Sequence, residues 1–461
     1  MKTKLLLSTA LFCVSFVFGQ FGPQRIISTE TLKPYKTIPV DIDGDGKIDI
    51  AAMGAENYDL VWYRNEDGFG NFGPKRVINQ NPIYYISAHF ADLDNDGDVD
   101  LVYQSNNPSY LGWMENLDGL GNFGPENTIE PLDGVYSFIP VDVDNDGDLD
   151  LLCTASDTFT GEITWFENLD GQGSFGPENL LIQNDSEYSK ILAADLDNDG
   201  LLDVLATDYV LNQGKIFWYK NMGNGTIGPM QIIYQFNWVS GGTNIVYFEY
   251  ADINTDGKKD IVFTWVDDNA NSGTDWLENL DNSGNFGPLQ FLSNDWGQYK
   301  FHDFDNDGDN DMLLWFYQVD RISWRKNEDG LGSFGPLQTV TTEVEFPRDA
   351  AATDLNSDGW LDVVSASVAD NKLAWYENRT LGISEYGANA VALYPNPTKG
   401  IVFLDSEKPI ANTTVYSILG QRITTAFENG EIDLSSLPAG IYCLQIETET
   451  GNSQTHKIVK E

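Results

Sequence analysis

The sequence predicts an all-β chain, a seven-bladed β-propeller followed by a small β-sandwich. Three observations predict it. A nine-residue acidic motif recurs seven times, beginning at Asp41, Asp92, Asp142, Asp195, Asp252, Asp303 and Asp354. Two further stations, Trp-x-x-Asn and aromatic-Gly-Pro, recur in step with it. Beyond Asn378 the repeat stops, and short alternating apolar runs of another kind begin. The copies lie 51, 50, 53, 57, 51 and 51 residues apart, a spacing that belongs to propellers and comparable arrays.

The first copy reads Asp41-x-Asp43-x-Asp45-Gly46-x-x-Asp49. Carboxylates at alternate positions of a tight loop converge on one point, and a glycine at the sixth position lets the backbone turn. The side-chain ligands expected of such a cage are Asp41, Asp43, Asp45 and Asp49; Asp92, Asp94, Asp96 and Asp100; Asp142, Asp144, Asp146 and Asp150; Asp195, Asp197, Asp199 and Asp203. The later copies supply Asp252, Asn254, Asp256 and Asp260; Asp303, Asp305, Asp307 and Asp311; Asp354, Asn356, Asp358 and Asp362. Position 7 varies from Lys47 to Trp360, as suits a residue that offers only its carbonyl. An all-oxygen cage without His or Cys excludes zinc and copper. Calcium suits it better than magnesium, which keeps its waters and demands a strict octahedron. An EF-hand is excluded because position 12 is Ala52 or Tyr103 rather than Glu. The expected cofactor is therefore Ca²⁺, up to seven ions, one per blade. Asn254 and Asn356 each remove a charge, so the fifth and seventh loops are expected to bind more weakly.

Each motif runs into a short apolar stretch such as Ile50-Ala51-Ala52, which reads as a strand. The tryptophan stations stand at Trp62, Trp113, Trp165, Trp218, Trp276, Trp324 and Trp375. The aromatic-Gly-Pro stations begin at Phe21, Phe72, Phe123, Phe175, Phe286 and Phe334, with Ile227 in the remaining copy. Between them lie turns such as Asn65-Glu66-Asp67-Gly68, which carry hairpin chemistry. Each unit thus supplies four strands, one propeller blade. One Phe-Gly-Pro precedes the first acidic loop and none follows Trp375. The ring is therefore expected to close by pairing a strand near Arg25–Ser28 with one near Leu373–Asn378.

The repeats, over residues 21–380, resemble the FG-GAP or VCBS family, the calcium-loop propellers typified by the integrin α-subunit head. The resemblance implies metal loops between the first two strands of each blade, on one face of the disc, that help hold the fold.

Formal charge is −45, from 26 basic and 71 acidic residues. Of the acids, 29 are Asp residues inside the seven motifs, so much of the imbalance is tied to the loops. Such a chain is not expected to bind nucleic acid or an anionic membrane. Residues 1–19 combine Lys2 and Lys4 with an apolar run from Leu5 to Phe18, the pattern of a secretory signal peptide. No transmembrane segment is expected in the mature chain, and a monomer is expected. Cys153 and Cys443 fall in different predicted domains, which argues against a disulfide.

The domain plan is a signal peptide at 1–19, the propeller at 20–380, a linker at 381–389 and a small domain at 390–461. That last domain carries Tyr394-Pro395-Asn396-Pro397, Val415 to Gly420 and Leu437 to Tyr442, and ends in Lys457-Ile458-Val459-Lys460. These segments closely resemble the C-terminal sorting domain of the type IX secretion system of Bacteroidota. The resemblance implies the type IX machinery as a partner, passage through the periplasm and outer membrane of a Gram-negative cell, and release or anchoring at the surface.

The expected role is non-catalytic recognition or adhesion toward a glycan or protein. The alternative is a calcium-dependent polysaccharide lyase or glycosidase. Aromatics before the acidic loop in six of the repeats (Tyr35, Tyr84, Tyr85, Tyr136, Tyr188, Trp296, Phe346) would sit opposite the metal loops, while the fifth has instead a longer segment, residues 235–242, containing Trp238. They would either line a binding ring or pack between blades. The three histidines, His89, His302 and His456, belong to no nucleophile-elbow, zinc or phosphate-loop motif, while the acids Asp157, Glu187, Asp267 and Asp268 outside the loops leave a carboxylate pair for glycoside cleavage open. No catalytic residue is assigned.

Overall fold

The computed structural model describes residues 20–460 apart from 57, 80–84, 107–108, 130–134, 158–159, 185–187, 209–213, 237–242, 268–270, 296, 317, 380–391, 395–397, 406–409, 418–421, 424–426, 429, 439 and 449–452. The expected signal segment and linker lie outside the described residues. So do Tyr84, Trp296, and residues 237–242 of the long fifth-blade segment. The chain forms two compact units, Phe21–Asn378 and a second one from Arg379 onward.

The first unit contains seven four-stranded antiparallel sheets. The third is typical, with strands Val135–Val141, Asp150–Asp157, Thr160–Asn168 and Phe175–Asn184 in spatial order. In every sheet the acidic loop joins the first two strands, and the ninth residue of the motif opens the second. Val40 pairs with Asp49, Val141 with Asp150 and Thr353 with Asp362. The loop is thus a fixed-register hairpin turn, and its geometry repeats because its register repeats.

The seventh sheet closes the ring. Its strands Pro347–Thr353, Asp362–Ser367 and Lys372–Tyr376 are completed by Arg25–Ser28, with Arg25 opposite Trp375 and Ser28 opposite Leu373. The Gly22 amide donates to the Glu377 carbonyl at 2.8 Å. Phe21 is buried beside Phe304 and Trp324, at centroid distances of 5.7 and 6.4 Å. Closure pairs the edge of Lys372–Tyr376 and gives the last blade the same four strands as the others.

Apolar side chains interleave between neighbouring blades. Leu93, Val102, Leu111 and Trp113 of the second blade pack against Phe138, Leu151, Cys153 and Phe166 of the third. A glycine in the hairpin makes this possible. A Cβ on Gly173 would collide with the Trp113 ring, and its φ is +74°. The tryptophan of one blade therefore lies beneath the hairpin of the next, a contact only glycine admits.

The second unit is a β-sandwich. One sheet holds Ala392–Tyr394, Ile401–Asp405, Glu431–Asp433 and Phe427–Glu428. The other holds Arg422–Ile423, Ile410–Ser417, Gly440–Thr448 and Ser453–Lys460. Val402, Val415, Ile432, Leu444 and Ile458 fill the space between them. Among the described residues Cys153 and Cys443 are free. Among the described residues no helix is long and apolar enough to cross a membrane.

Candidate metal centre

The loop is shaped by its own carboxylates before any ion is considered. Asp142 Oδ1 accepts from the Asn145 and Asp146 amides at 2.7 and 3.2 Å, and its Oδ2 accepts from Gly147 at 3.1 Å. Asp146 Oδ1 accepts from the Asp148 amide at 3.0 Å. The glycine-to-first-Asp bond recurs in every copy, for example Gly46 to Asp41 and Gly359 to Asp354 at 2.8 and 2.9 Å. Gly147 has φ +102° and open space around its Cβ position, so it serves the backbone angle rather than clearance. Position 4 is also left-handed in all seven loops, and Asn fills it in four of them (Asn95, Asn145, Asn198, Asn306). That is the non-glycine residue most tolerant of this angle.

Position 9 does separate work. Asp150 is buried, and its Oδ1 accepts from the Asn168 amide at 2.8 Å while Oδ2 accepts from Val143 at 2.9 Å. The same pair of amides holds Asp49, Asp100, Asp203, Asp260, Asp311 and Asp362. Burial pushes the carboxyl up to about 7 in Asp49, Asp100, Asp150, Asp260 and Asp311, to about 6 in Asp203 and to about 8 in Asp362. Each oxygen keeps a second lone pair for a ligand.

The asparagine of Trp-x-x-Asn ties three elements together. Asn168 donates its amide to Asp150, its Nδ2 to the Leu93 carbonyl in the preceding blade's loop at 2.8 Å, and accepts from Gly173 at 3.1 Å. Asn65, Asn116, Asn221, Asn327 and Asn378 reach the preceding blade in the same way. The sequence shows this asparagine as a station but not its partner, which lies 74 to 78 residues away in the five cases other than the closing Asn65.

Positions 1, 3 and 5 bring carboxylate oxygens within 4.8 Å of one another in the first four loops, as do Asp303, Asp305 and Asp311 in the sixth. Among the described residues the fifth and seventh loops form no such trio, since Asn254 and Asn356 stand at position 3. The residues fit a hard cation on one further ground. Asp92 Oδ1 is buried without a hydrogen-bond partner, and an oxygen left so calls for a ligand; Asp43, Asp197 and Asp305 likewise leave Oδ1 unpartnered, but their Oδ2 atoms pair with Arg64, Lys220 and Lys326. Burial first, then the charge of Asp96, raises the Asp94 carboxyl; burial and then Asp146 do the same to Asp144. Glu115 and Glu167 add to these fields.

The predicted aromatic ring does not form as one surface. Tyr188 is buried and hydrogen-bonded to Tyr219 at 2.7 Å, and Tyr35 packs against the core between the first two blades. Tyr136 and Phe346 are exposed. Large apolar side chains are exposed instead at the hairpin tips, where Phe69, Leu120, Leu169 and Leu331 are 63, 56, 60 and 65 % accessible. These hairpins rest on the acidic loops: Asn95 donates to the Gly171 carbonyl at 3.2 Å, and the Asn224 amide to the Asp144 carbonyl at 3.1 Å.

The inner strands carry a separate polar group. Lys36 lies 3.3 Å from Asp349 of the last blade, and Lys190 donates to the Phe248 carbonyl at 2.6 Å above the Tyr247 ring. Burial, with Lys36 for His89 and Lys300 for His302, pushes both histidines down to about 4. Their folded values lie below the ordinary 6.5, so the stability they contribute is present above pH 6.5 and lost as pH falls toward 4. Each is expected to remove about 1–3 kcal/mol by pH 4. Melting curves of His89→Asn should show a shallower acid limb than the unaltered chain, and an identical limb would count against this origin.

FG-GAP-like repeats match at residues 41–103, 92–153, 142–206 and 303–365, and a secretion system C-terminal sorting domain matches residues 392–461. No curated protein matches the chain. Among solved structures, BBS1N in complex with ARL6DN is 7 % identical, with 79 % of this chain and 99 % of that chain covered at a TM-score of 0.49. A mutant α-L-arabinofuranosidase from Fusarium graminearum, solved with an iminosugar inhibitor, is 9 % identical, with coverages of 64 and 93 % and a TM-score of 0.42. Seven four-stranded blades, the acidic loop between the first two strands of each, and the sandwich that follows make this chain an FG-GAP-repeat propeller carrying a secretion system C-terminal sorting domain.

Proposed function

We propose that the exported chain is a non-catalytic recognition or adhesion module, that its acidic loops bind calcium, and that it grips its partner through the face that carries them. The observation that carries this reading is the set of exposed Phe and Leu side chains on hairpins seated on the acidic loops. Exposed apolar side chains offer burial to a partner rather than proton transfer. Three of the four tip residues are leucines, and that largely aliphatic character favours a protein over a glycan, which would call for flat aromatic faces. Calcium would be held by the oxygens of positions 1, 3 and 5, with position 9 joining through its spare lone pairs. Its part is to cancel the repulsion among those carboxylates and so stiffen the platform beneath the tips. At free calcium ten times the dissociation constant, each occupied loop adds about 1.4 kcal/mol to stability.

The test applies the mature chain to glycan arrays and to immobilised extracellular proteins, in millimolar calcium and after chelation. Retention that disappears on chelation, and in Leu120→Asp with Leu169→Asp, is the expected result. Chelation should also lower the melting temperature reversibly. New unsaturated or reducing ends on a polysaccharide would replace this reading with an enzymatic one.

A further inference from the structure

The residue two beyond each tryptophan differs in charge from blade to blade: Arg64, Glu115, Glu167, Lys220, Glu278, Lys326 and Glu377. Its side chain reaches the acidic loop of its own blade. Arg64 lies 2.5 Å from Asp43 and 2.8 Å from Asp45, and Lys47 lies 2.7 Å from Asp45. Lys220 pairs with Asp197 and, at 2.7 Å, with Asp199. Lys326 pairs with Asp305 and, at 2.6 Å, with Asp307. These are the position 3 and position 5 carboxylates that a calcium ion would use.

The fifth and seventh loops are filled by other means. Lys258 pairs with Asp256, and the Asn254 amide donates to Glu278 at 3.2 Å. In the seventh, the Asn356 amide donates to Asp358 at 3.0 Å, while Glu377 is held by Arg25 at 2.7 Å. The orientation of both amides follows from their oxygens, which accept from the Asp256 and Asp358 backbones at 3.3 and 3.1 Å.

Only the second and third loops lack such a group. The donors to Asp92, Asp94, Asp96, Asp142, Asp144 and Asp146 are backbone amides alone among the described residues. Each of these loops holds five Asp and faces a Glu, with no basic residue in the nine or two beyond the tryptophan. The two are also joined, because Asn95 donates to Asp148 at 2.7 Å.

Resting on the calcium reading above, we infer that the chain binds two calcium ions, in the second and third loops, and that tethered groups of the chain itself occupy the remaining loops, a cation in the first, fourth, fifth and sixth and the Asn356 amide in the seventh. An ammonium within 3 Å of a position 5 carboxylate repels a divalent ion at the same oxygens, and expelling it forfeits its own pairs. The loops thus share a shape and divide by what faces their carboxylates: a cation two beyond the tryptophan in the first, fourth and sixth, Lys258 of the motif itself in the fifth, and the Asn356 amide in the seventh.

Equilibrium gel filtration of the mature chain in calcium, with bound ion counted against protein, decides it. Two ions per chain are expected, one in Glu115→Lys, and three in either Lys220→Glu or Lys326→Glu. Two separate lysine variants, each checked by its melting curve, keep the test open if one fails to fold. More than two ions on the unaltered chain, or an unchanged count in a folded lysine variant, overturns the division while leaving calcium binding intact. No ion bound overturns the calcium reading itself.

Discussion

Replacing Asp150 by Ala is expected to lower stability in chelator by about 3–5 kcal/mol, several times the cost of Asp142→Ala. The difference lies in what each carboxylate leaves behind. Asp150 accepts from Val143 and Asn168, in the buried seam between strands, and each buried amide left unpaired costs about 1–3 kcal/mol. The Asn168 bridge to the preceding blade then loses its anchor as well. The amides that Asp142 serves, those of Asn145, Asp146 and Gly147, sit in an exposed loop where water replaces the carboxylate, so the loss is about 0.5–1.5 kcal/mol. Urea unfolding midpoints of the two variants in chelator compare them directly. Equal midpoints would show that position 9 carries no special structural share.

Removing residues 21–28 is expected to abolish cooperative folding of the propeller. The segment supplies Phe21 to the core, the Gly22 bond to Glu377, the Gln24 bond to the Tyr376 hydroxyl at 2.8 Å, and a strand against Lys372–Tyr376. Arg25 also lies over the Trp375 ring at 4.6 Å while pairing with Glu377. A buried Phe contributes about 3–5 kcal/mol and each hydrogen bond about 1. The sum reaches the whole net stability of an ordinary domain, about 5–15 kcal/mol. The truncation also bares the edge of the last blade, a template for pairing with another chain. Differential scanning calorimetry and gel filtration should show a lost transition and aggregates. An intact, sharp melt would mean that the ring holds without its first strand.

Blade number, strand order and the point of closure were legible from the phase of three stations along the chain. The acidic loop was legible too, because its signal lies within nine consecutive residues. Three features were not. The Asn168 contact with Leu93 spans 75 residues, and local pattern carries no trace of it. The charge two beyond each tryptophan stands in plain view, yet it acquires meaning only once that side chain is seen over the loop. The aromatics before six of the loops looked equivalent in spacing, but Tyr188 finds Tyr219 and turns inward while Tyr136 stays in solvent. Their partners differ from blade to blade, so equal spacing did not give equal burial.

The asparagine bridges form a chain of links around the disc, and that chain has a gap. Asn279 donates to Lys259 of its own blade at 3.3 Å and to Asn282, rather than to the preceding loop as its six counterparts do. The fourth and fifth blades are therefore held by apolar packing without that bridge. A closed ring has no free end from which to fray, as a linear repeat array has. Its weakest joints decide where water enters first. This one has an unbridged joint between the fourth and fifth blades, whereas the first and last blades, besides the clasp of the first strand, keep the Asn65 bridge to Leu355 and shared apolar packing. Solvent is expected to open the disc first beside the fourth blade, away from the second and third loops assigned a calcium ion.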